Sequence, residues 1–525
     1  MKPIWKILIA AAVVISAVAA VMVIPHYRAK AAVAAYRAQL KAQGEKLSIA
    51  EMAPVVSVDD LSAGRQLLAA ANFAVSFTNL PPAMRWISPG HALVSWAEAE
   101  SPAEKTSNCW LELSALIKER PEVSDRIVSA VRKPGIGFDV KYQNGFSTPL
   151  PHIAPVRKAG QWTSAATLLA LHEKDTNSAW INLESEMELV TKYNSEPFIV
   201  CQLTRAAEMH AALATTWEAL QYPGWSEPQL AQLQTNWESF ALLDQLAPTF
   251  SMERATQELE MRKMRGSFNL YMDHEDAVNS GGFFNFDKMA TNSRERAPSI
   301  YVRPFRYWAW KWWGSYDEEL YALQVLQAQL AAVQALQKGG AFVPALHDFH
   351  ETVINLQKLH PGWERRFVFA GMMDQVYLGF FLKIGEAEMA RRMAVTAVAL
   401  ERYRLRHGEY PASLEQLTPN YLARMPIDFM DGKPLRYRRQ NDGTFLLYSV
   451  GIDGADDGGD ASPLASDTSE RKLWYKMRDA VWPVPATPSE VKKYEAHALQ
   501  KLSIKPVKPI PQPVPEPAGT NTNTN

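Results

Sequence analysis

Cysteine is nearly absent. Cys109 and Cys201 are the only two in 525 residues, and no CxxC pair exists. That spacing excludes a zinc knuckle and a dithiol redox motif. The two thiols either close one long-range disulfide in an oxidising compartment or stay buried and unpaired, and the sequence leaves both open. An excess of charge of either sign is also missing. Lys+Arg number 55 and Asp+Glu 56, for a net −1. Such a balance gives no global attraction to nucleic acid or to acidic substrates, so no nucleic-acid partner is expected. There is no GxSxG, Walker A, GxGxxG or protein-kinase signature set. Triads are recognised by geometry rather than by order, so these absences do not exclude an enzyme. They do leave no catalytic residue to name, and the chain reads as non-enzymatic.

What is present is apolar and aromatic. Hydrophobic residues make up 47% of the chain, enough for a sizeable core, and 525 residues exceed one ordinary domain. Tryptophan occurs 16 times, in part clustered as Trp308, Trp310, Trp312 and Trp313. Aromatic anchors in a helical core account for this more simply than an aromatic ligand platform.

The N-terminus carries Lys2 and Lys6, then an uncharged apolar run, Ile7–Ile24. As a helix the run is about 27 Å long, close to the hydrocarbon thickness of a bilayer. It is expected to be an uncleaved transmembrane anchor (residues 7–24) behind a cytoplasmic tail (1–6). A signal peptide cleaved near Ala17-Val18-Ala19 is the competing reading. Lys2 and Lys6 on one side nearly balance Arg28, Lys30, Arg37 and Lys41 on the other, so the positive-inside rule barely discriminates. The expectation is a single-pass protein of the bacterial inner membrane with its bulk in the periplasm. Residues 25–59 follow as a juxtamembrane helix and linker rich in helix-forming Ala, Leu, Gln, Arg and Lys.

Residues 60–380 predict a helical domain. Helices are expected at Leu61–Thr78, at Lys105–Lys133 with a break near Pro121, at Tyr316–Leu336 and at Ala345–Leu359. A short hairpin is expected at the Asn144-Gly145 turn. Gln161–Leu246 is the most regular part, with apolar positions recurring every three and four residues and a loop at Glu173–Asn177. It resembles a tetratricopeptide-like helical hairpin, although no second copy shows the period. Met261–Pro304, with Gly281-Gly282, reads as an exposed loop.

Two clusters bear on chemistry. His347 and His350 are three residues apart on one helix, with Glu351 and His360 nearby. Metal sites use such spacing, but this is not HExxH, and a polar helix face is the simpler reading. Asp453, Asp456, Asp457 and Asp460 lie within eight residues, interleaved with Gly454, Gly458 and Gly459. A hard cation relieves repulsion among crowded carboxylates, and glycines let a loop wrap it. The spacing is not that of an EF-hand. A solvated acidic loop and a calcium site are both open.

The segment around this loop, 386–460, is the most legible in the chain. A helix over Glu386–His407 has Met389, Met393, Ala397, Leu400 and Tyr403 on one face, with Gly408 placed to end it. Leu435 and Tyr437 alternate with Arg436 and Arg438 as a strand, Asn441-Asp442-Gly443 turns, and Thr444–Val450 returns. With Tyr403, Gly408, Tyr410 and Pro411, then Leu414, Leu417 and Leu422, then Pro426, Asp428, Gly432 and Pro434, and a hairpin ending Tyr-Ser-x-Gly-x-Asp-Gly, the segment resembles the globular part of the major pseudopilins of type II secretion systems. The resemblance implies a calcium-binding loop with Asp453, Asp457 and Asp460 as side-chain ligands and Asp456 as an alternative. It also implies partners among secretion or envelope proteins. The chain departs from that family in lacking the Gly and Glu of a prepilin leader in Met1–Ile24. As a whole it resembles membrane-anchored proteins of Verrucomicrobia and Planctomycetes, a likeness that supplies no activity.

The expected architecture is therefore mainly α. It comprises a helical bundle, a small C-terminal α+β pseudopilin-like module (386–480) and a Pro-rich disordered tail (481–525). The alternative functions are a helical scaffold or peptide-binding protein unrelated to secretion, and an enzyme with a dispersed site.

Overall fold

The structure, a computed structural model, describes residues 2–74, 83–98, 109–193, 196–279, 303–360, 367, 369–464 and 473–504. It is mainly helical. Early helices are α1 (Lys2–Ala42), α2 (Ile49–Met52), α3 (Val58–Phe73), α4 (Cys109–Glu119) and α5 (Pro121–Val131). The bundle continues with α6 (Ile153–His172), α7 (Thr176–Lys192), α8 (Ile199–Leu220), α9 (Glu227–Ser239), α10 (Leu246–Gly266) and α11 (Phe268–Asn279). Then come α12 (Arg303–Ala309), α13 (Ser315–Gln337), α14 (Phe342–Leu359), α15 (Ala370–His407) and α16 (Pro488–Ile504). Strands β1 (Arg85–Ser88), β2 (His91–Leu93) and β6 (Val484–Pro485) form one small sheet; β3 (Arg436–Arg439), β4 (Phe445–Ser449) and β5 (Ala480–Val481) form the other.

The helical hairpin expected at 161–246 is present. Helices α6 and α7 pack as neighbours, and α8 lies against both. Asp175 caps α7, its carboxylate accepting the Ser178 N–H at 3.0 Å. Pro121 starts α5 rather than interrupting a helix, in keeping with proline's fit at the first helical position. Near Asn144 the expected hairpin is replaced by a 3₁₀ segment, Tyr142–Ser147, in which Gly145 takes a φ of 62°. Its Tyr142 packs against Phe198 instead of pairing in a sheet. The exposed loop expected over Met261–Pro304 is helical in its first part, where α10 runs to Gly266 and α11 to Asn279; residues 280–302 lie outside the described residues.

The transmembrane anchor at residues 7–24, and with it the single-pass inner-membrane location with a periplasmic bulk, is corrected by the structure. Among the described residues no helix is long and apolar enough to cross a membrane. The apolar run is not a separate span. It is the first part of α1, which continues through Pro25 to Ala42 and joins the bundle. Val33 and Leu40 are buried there, and Arg37 pairs with Glu319 and, at 3.0 Å, with Glu258.

The long α15 is the spine. It packs on α8, α9 and α13 and then meets β4. Met389, Met393, Ala397 and Leu400 are all buried, as the helical pattern predicts. Its first amides lack a local cap, because Phe369 at the N-cap has no side-chain acceptor. Glu318, at the start of α13, supplies one: its Oε1 accepts the Phe369 N–H at 2.5 Å and the Ala370 N–H at 2.8 Å. Gly408 ends the helix at φ 81°, donating its N–H to Arg404 O at 2.8 Å, a left-handed cap that any side chain would strain. The hairpin follows with Arg436 opposite Tyr448 and Arg439 opposite Phe445. The chain after 480 is ordered further than its composition suggests. Val484 pairs in parallel with His91, and the Trp217 indole donates to Pro483 O at 2.8 Å. Residues 505–525 lie outside the described residues.

Candidate functional site

The acidic loop is held by neighbours. Asp479, fully buried on the strand side, accepts the N–H groups of Gly459 at 2.7 Å and Asp460 at 3.0 Å, with Asp457 N–H at 3.4 Å. This carboxylate gives the loop its shape, and its burial and three amides had no signature in the sequence. Asp456 accepts from Tyr448 Oη at 3.0 Å, from Gly458 N–H at 3.1 Å and from Arg436 Nε at 3.1 Å. Asp460 accepts from Ser462 N–H and Oγ, both at 2.9 Å, and Asp453 caps its own turn at Ala455 N–H, 3.1 Å. Arg478 lies 3.7 Å from Asp457 and 3.8 Å from Asp460.

Measured against calcium, which takes six to eight oxygens, this donor set does not fit as arranged. Two arginines already approach its carboxylates, Arg436 at Asp456 and Arg478 at Asp457 and Asp460. With the loop carboxylates held by Arg436, Arg478 and backbone amides, adding calcium or a chelator is expected to move the melting temperature by less than about 1 °C. A calcium-dependent rise of several degrees would overturn that and restore the ion site.

His347, His350 and Glu351 lie on the exposed face of α14, opposite its buried Phe342, Ala345, Phe349 and Val353. His360 instead turns towards the rings of Tyr321 and Phe367. The structure does not bring the four together. Cys201 is a buried free thiol pushed upward by burial, so it does not form the long-range disulfide. The side chain of Cys109 lies outside the described residues.

A different site emerges where α8, α10, the start of α15 and the 3₁₀ segment meet. They line a partly open cavity of about 200 Å³ whose walls are Phe146, Leu150, Phe198, Val200, Met373, Val376 and their neighbours. One acid, Glu253 of α10, reaches into this wall. It is 4% exposed, and its Oε1 accepts the Ile199 N–H at 3.0 Å, capping α8 where Phe198 has no side chain to offer. Burial pushes its carboxyl up to about 7. Sequence reasoning missed it because Glu253 sits in an ordinary helical pattern. The wall facing it is drawn from segments roughly 50 to 120 residues away.

Glu253 is one of several buried acids. Burial pushes Glu208 up to about 8 and Glu218 and Asp374 to about 7. Burial works in the opposite direction on two imidazoles, taking His152 down to about 4 and His210 to about 3. Each raised carboxyl binds its proton more tightly folded than unfolded. Its contribution is fully present below its unfolded value and is lost as pH rises through 7 to 8. Each lowered imidazole is protonated first in the unfolded chain, so stability is lost as pH falls from about 6.5 towards 4. With four raised carboxyls against two lowered imidazoles, maximum stability is expected at about pH 4 to 5, and it declines from there upward. The rise from pH 6.5 to 8 is expected to remove on the order of 1 kcal/mol per raised carboxyl. Melting temperatures across that range test it, and Glu208→Gln should flatten the slope. A profile that rises towards pH 8 would contradict the assignment.

Compared with protein-family models, with curated proteins and with solved structures, the chain matches none.

Proposed function

We propose that the protein is a non-enzymatic helical scaffold, with the C-terminal α+β module acting as its structural cap. The observation that carries this is the continuity between the two parts. α15 runs from the bundle core into the module without a break. Across the same boundary Phe342 N–H donates to Phe429 O at 2.8 Å, Val343 N–H to Met430 O at 3.0 Å, and Gln234 Nε2 to Tyr421 O at 2.7 Å. Among the described residues, backbone bonds of this kind tie the module to the bundle and leave no hinge between the two. Many of the buried acids also serve structural ends, as caps and arginine partners, rather than lining a shared cleft. Hydrogen exchange resolved by peptide tests the reading: β4 and α8 should exchange in the same slowest class, through one global opening. A module that opens on its own, at lower free energy than α8, would sink it.

A second reading keeps a link to secretion or envelope assemblies. In its favour, α15, the Gly408 turn, the β3–β4 hairpin and the loop from Gly451 follow one another in the order that the pseudopilin resemblance implies. Recovery of pseudopilins on immobilised full-length protein tests it, and their absence from the bound fraction removes it.

A further inference from the structure

We propose that the cavity around Glu253 is a binding site for a small primary amine with a compact apolar body. Size, lining and charge point to the same ligand. A protein cavity of about 150 Å³ with apolar walls holds benzene, so the cavity of about 200 Å³ here admits one such ring with a short substituent. Its walls are Phe146, Leu150, Phe198, Ile199, Met373 and Val376, which favour an apolar body over a sugar or a nucleotide.

The charge argument is more specific. Glu253 is 4% exposed, yet no Lys, Arg or His lines the cavity with it. One carboxylate oxygen is occupied by the Ile199 N–H. Among the described residues no hydrogen bond reaches the other. A buried carboxylate with no cation beside it is costly, and a partner cation with donors to spare removes much of that cost. An ammonium group brings three donors and the opposite charge. A ligand carboxylate would face repulsion from Glu253, and a plain hydrocarbon would leave the free oxygen unpaired. Thr148, on the same wall, already donates its hydroxyl to Lys141 O at 3.2 Å, so it does not compete for Glu253. The inference is independent of whether the protein is a scaffold, because it concerns only this cavity.

The test uses the full chain and two probes of nearly equal size, benzylamine and toluene, titrated calorimetrically at pH 8. Benzylamine is expected to bind the wild-type protein about ten- to a hundred-fold more tightly than toluene, the range set by one charge-assisted hydrogen bond. In Glu253→Gln, which keeps an acceptor for Ile199 N–H, that advantage should vanish while toluene binding is unchanged. Val376→Phe fills the cavity from α15 and should abolish binding of both probes. Equal affinities of the two probes for the wild type, no binding of either, or undiminished binding to Val376→Phe would each overturn the proposal. Should Glu253→Gln not fold, the probe comparison and Val376→Phe still decide it.

Discussion

Glu318→Ala is expected to be among the most destabilising single substitutions in the bundle, at roughly 3–5 kcal/mol. Glu318 is fully buried at the start of α13. Its Oε1 takes the first two N–H groups of α15, from Phe369 and Ala370, and its Oε2 takes the Trp310 indole N–H at 2.5 Å. Alanine leaves all three donors without this acceptor, in a place water does not reach. A buried donor without a partner costs its full desolvation, which exceeds the net worth of the bond it once made. Glu318→Gln should fall between. Its amide oxygen still serves the two helix amides, but its NH₂ then points at the Trp310 N–H, donor to donor. The urea midpoint measures each variant. Trp310→Phe supplies the control: with the indole donor removed, Glu318→Gln should cost less than it does in the wild type. If the glutamine cost is the same in both backgrounds, the Trp310 contact is not part of the effect.

This residue also shows where sequence reasoning stops. The periodicity of α15 was readable, and Gly408 announced its end. The start was not readable, because the acceptor for its first amides lies about 50 residues upstream in another helix. The reading therefore placed the helix from Glu386, whereas it begins at Ala370. The same limit applies to Glu253, which caps α8 from α10, and to Asp479, which shapes the acidic loop from beyond it. Local pattern reports which face of an element is buried. It carries no trace of a lone carboxylate that satisfies a distant helix end. The short sheet of β1, β2 and β6 was invisible for a related reason, since strands of two to four residues are too brief for alternation to register. In the acidic loop the crowding was plain in the sequence. That Arg436 and Arg478 would approach it was not, because Arg478 comes back only after the loop has closed.

Asp428→Ala is expected to have a comparable effect, about 3–5 kcal/mol, in the C-terminal module. Asp428 is fully buried, and four groups converge on its carboxylate: Ser449 Oγ at 2.7 Å, Met430 N–H at 2.9 Å, Val450 N–H at 3.0 Å and Arg436 Nη1 at 3.0 Å. It thus ties the turn after Pro426 to the end of β4 and to β3. Arg436 retains Asp431 at 2.7 Å and Asp456 at 3.1 Å when Asp428 is lost, so its charge stays compensated and the penalty falls chiefly on the two amides and the hydroxyl. Arg436→Met is the harsher change for the charges, since it leaves Asp428, Asp431 and Asp456 facing one another without their shared cation. Asp428→Asn should cost less than alanine, because one oxygen remains for the amides. The Trp310, Phe369 and Ala370 donors of Glu318 are distinct from the Met430, Arg436, Ser449 and Val450 donors of Asp428. The double variant Glu318→Ala/Asp428→Ala should therefore sum the single losses to within about 0.5 kcal/mol, provided bundle and module unfold together. Should the two sites lie in units that melt separately, Asp428→Ala would shift only the module's transition and leave that of the bundle in place. Circular dichroism followed through thermal unfolding distinguishes one displaced transition from two.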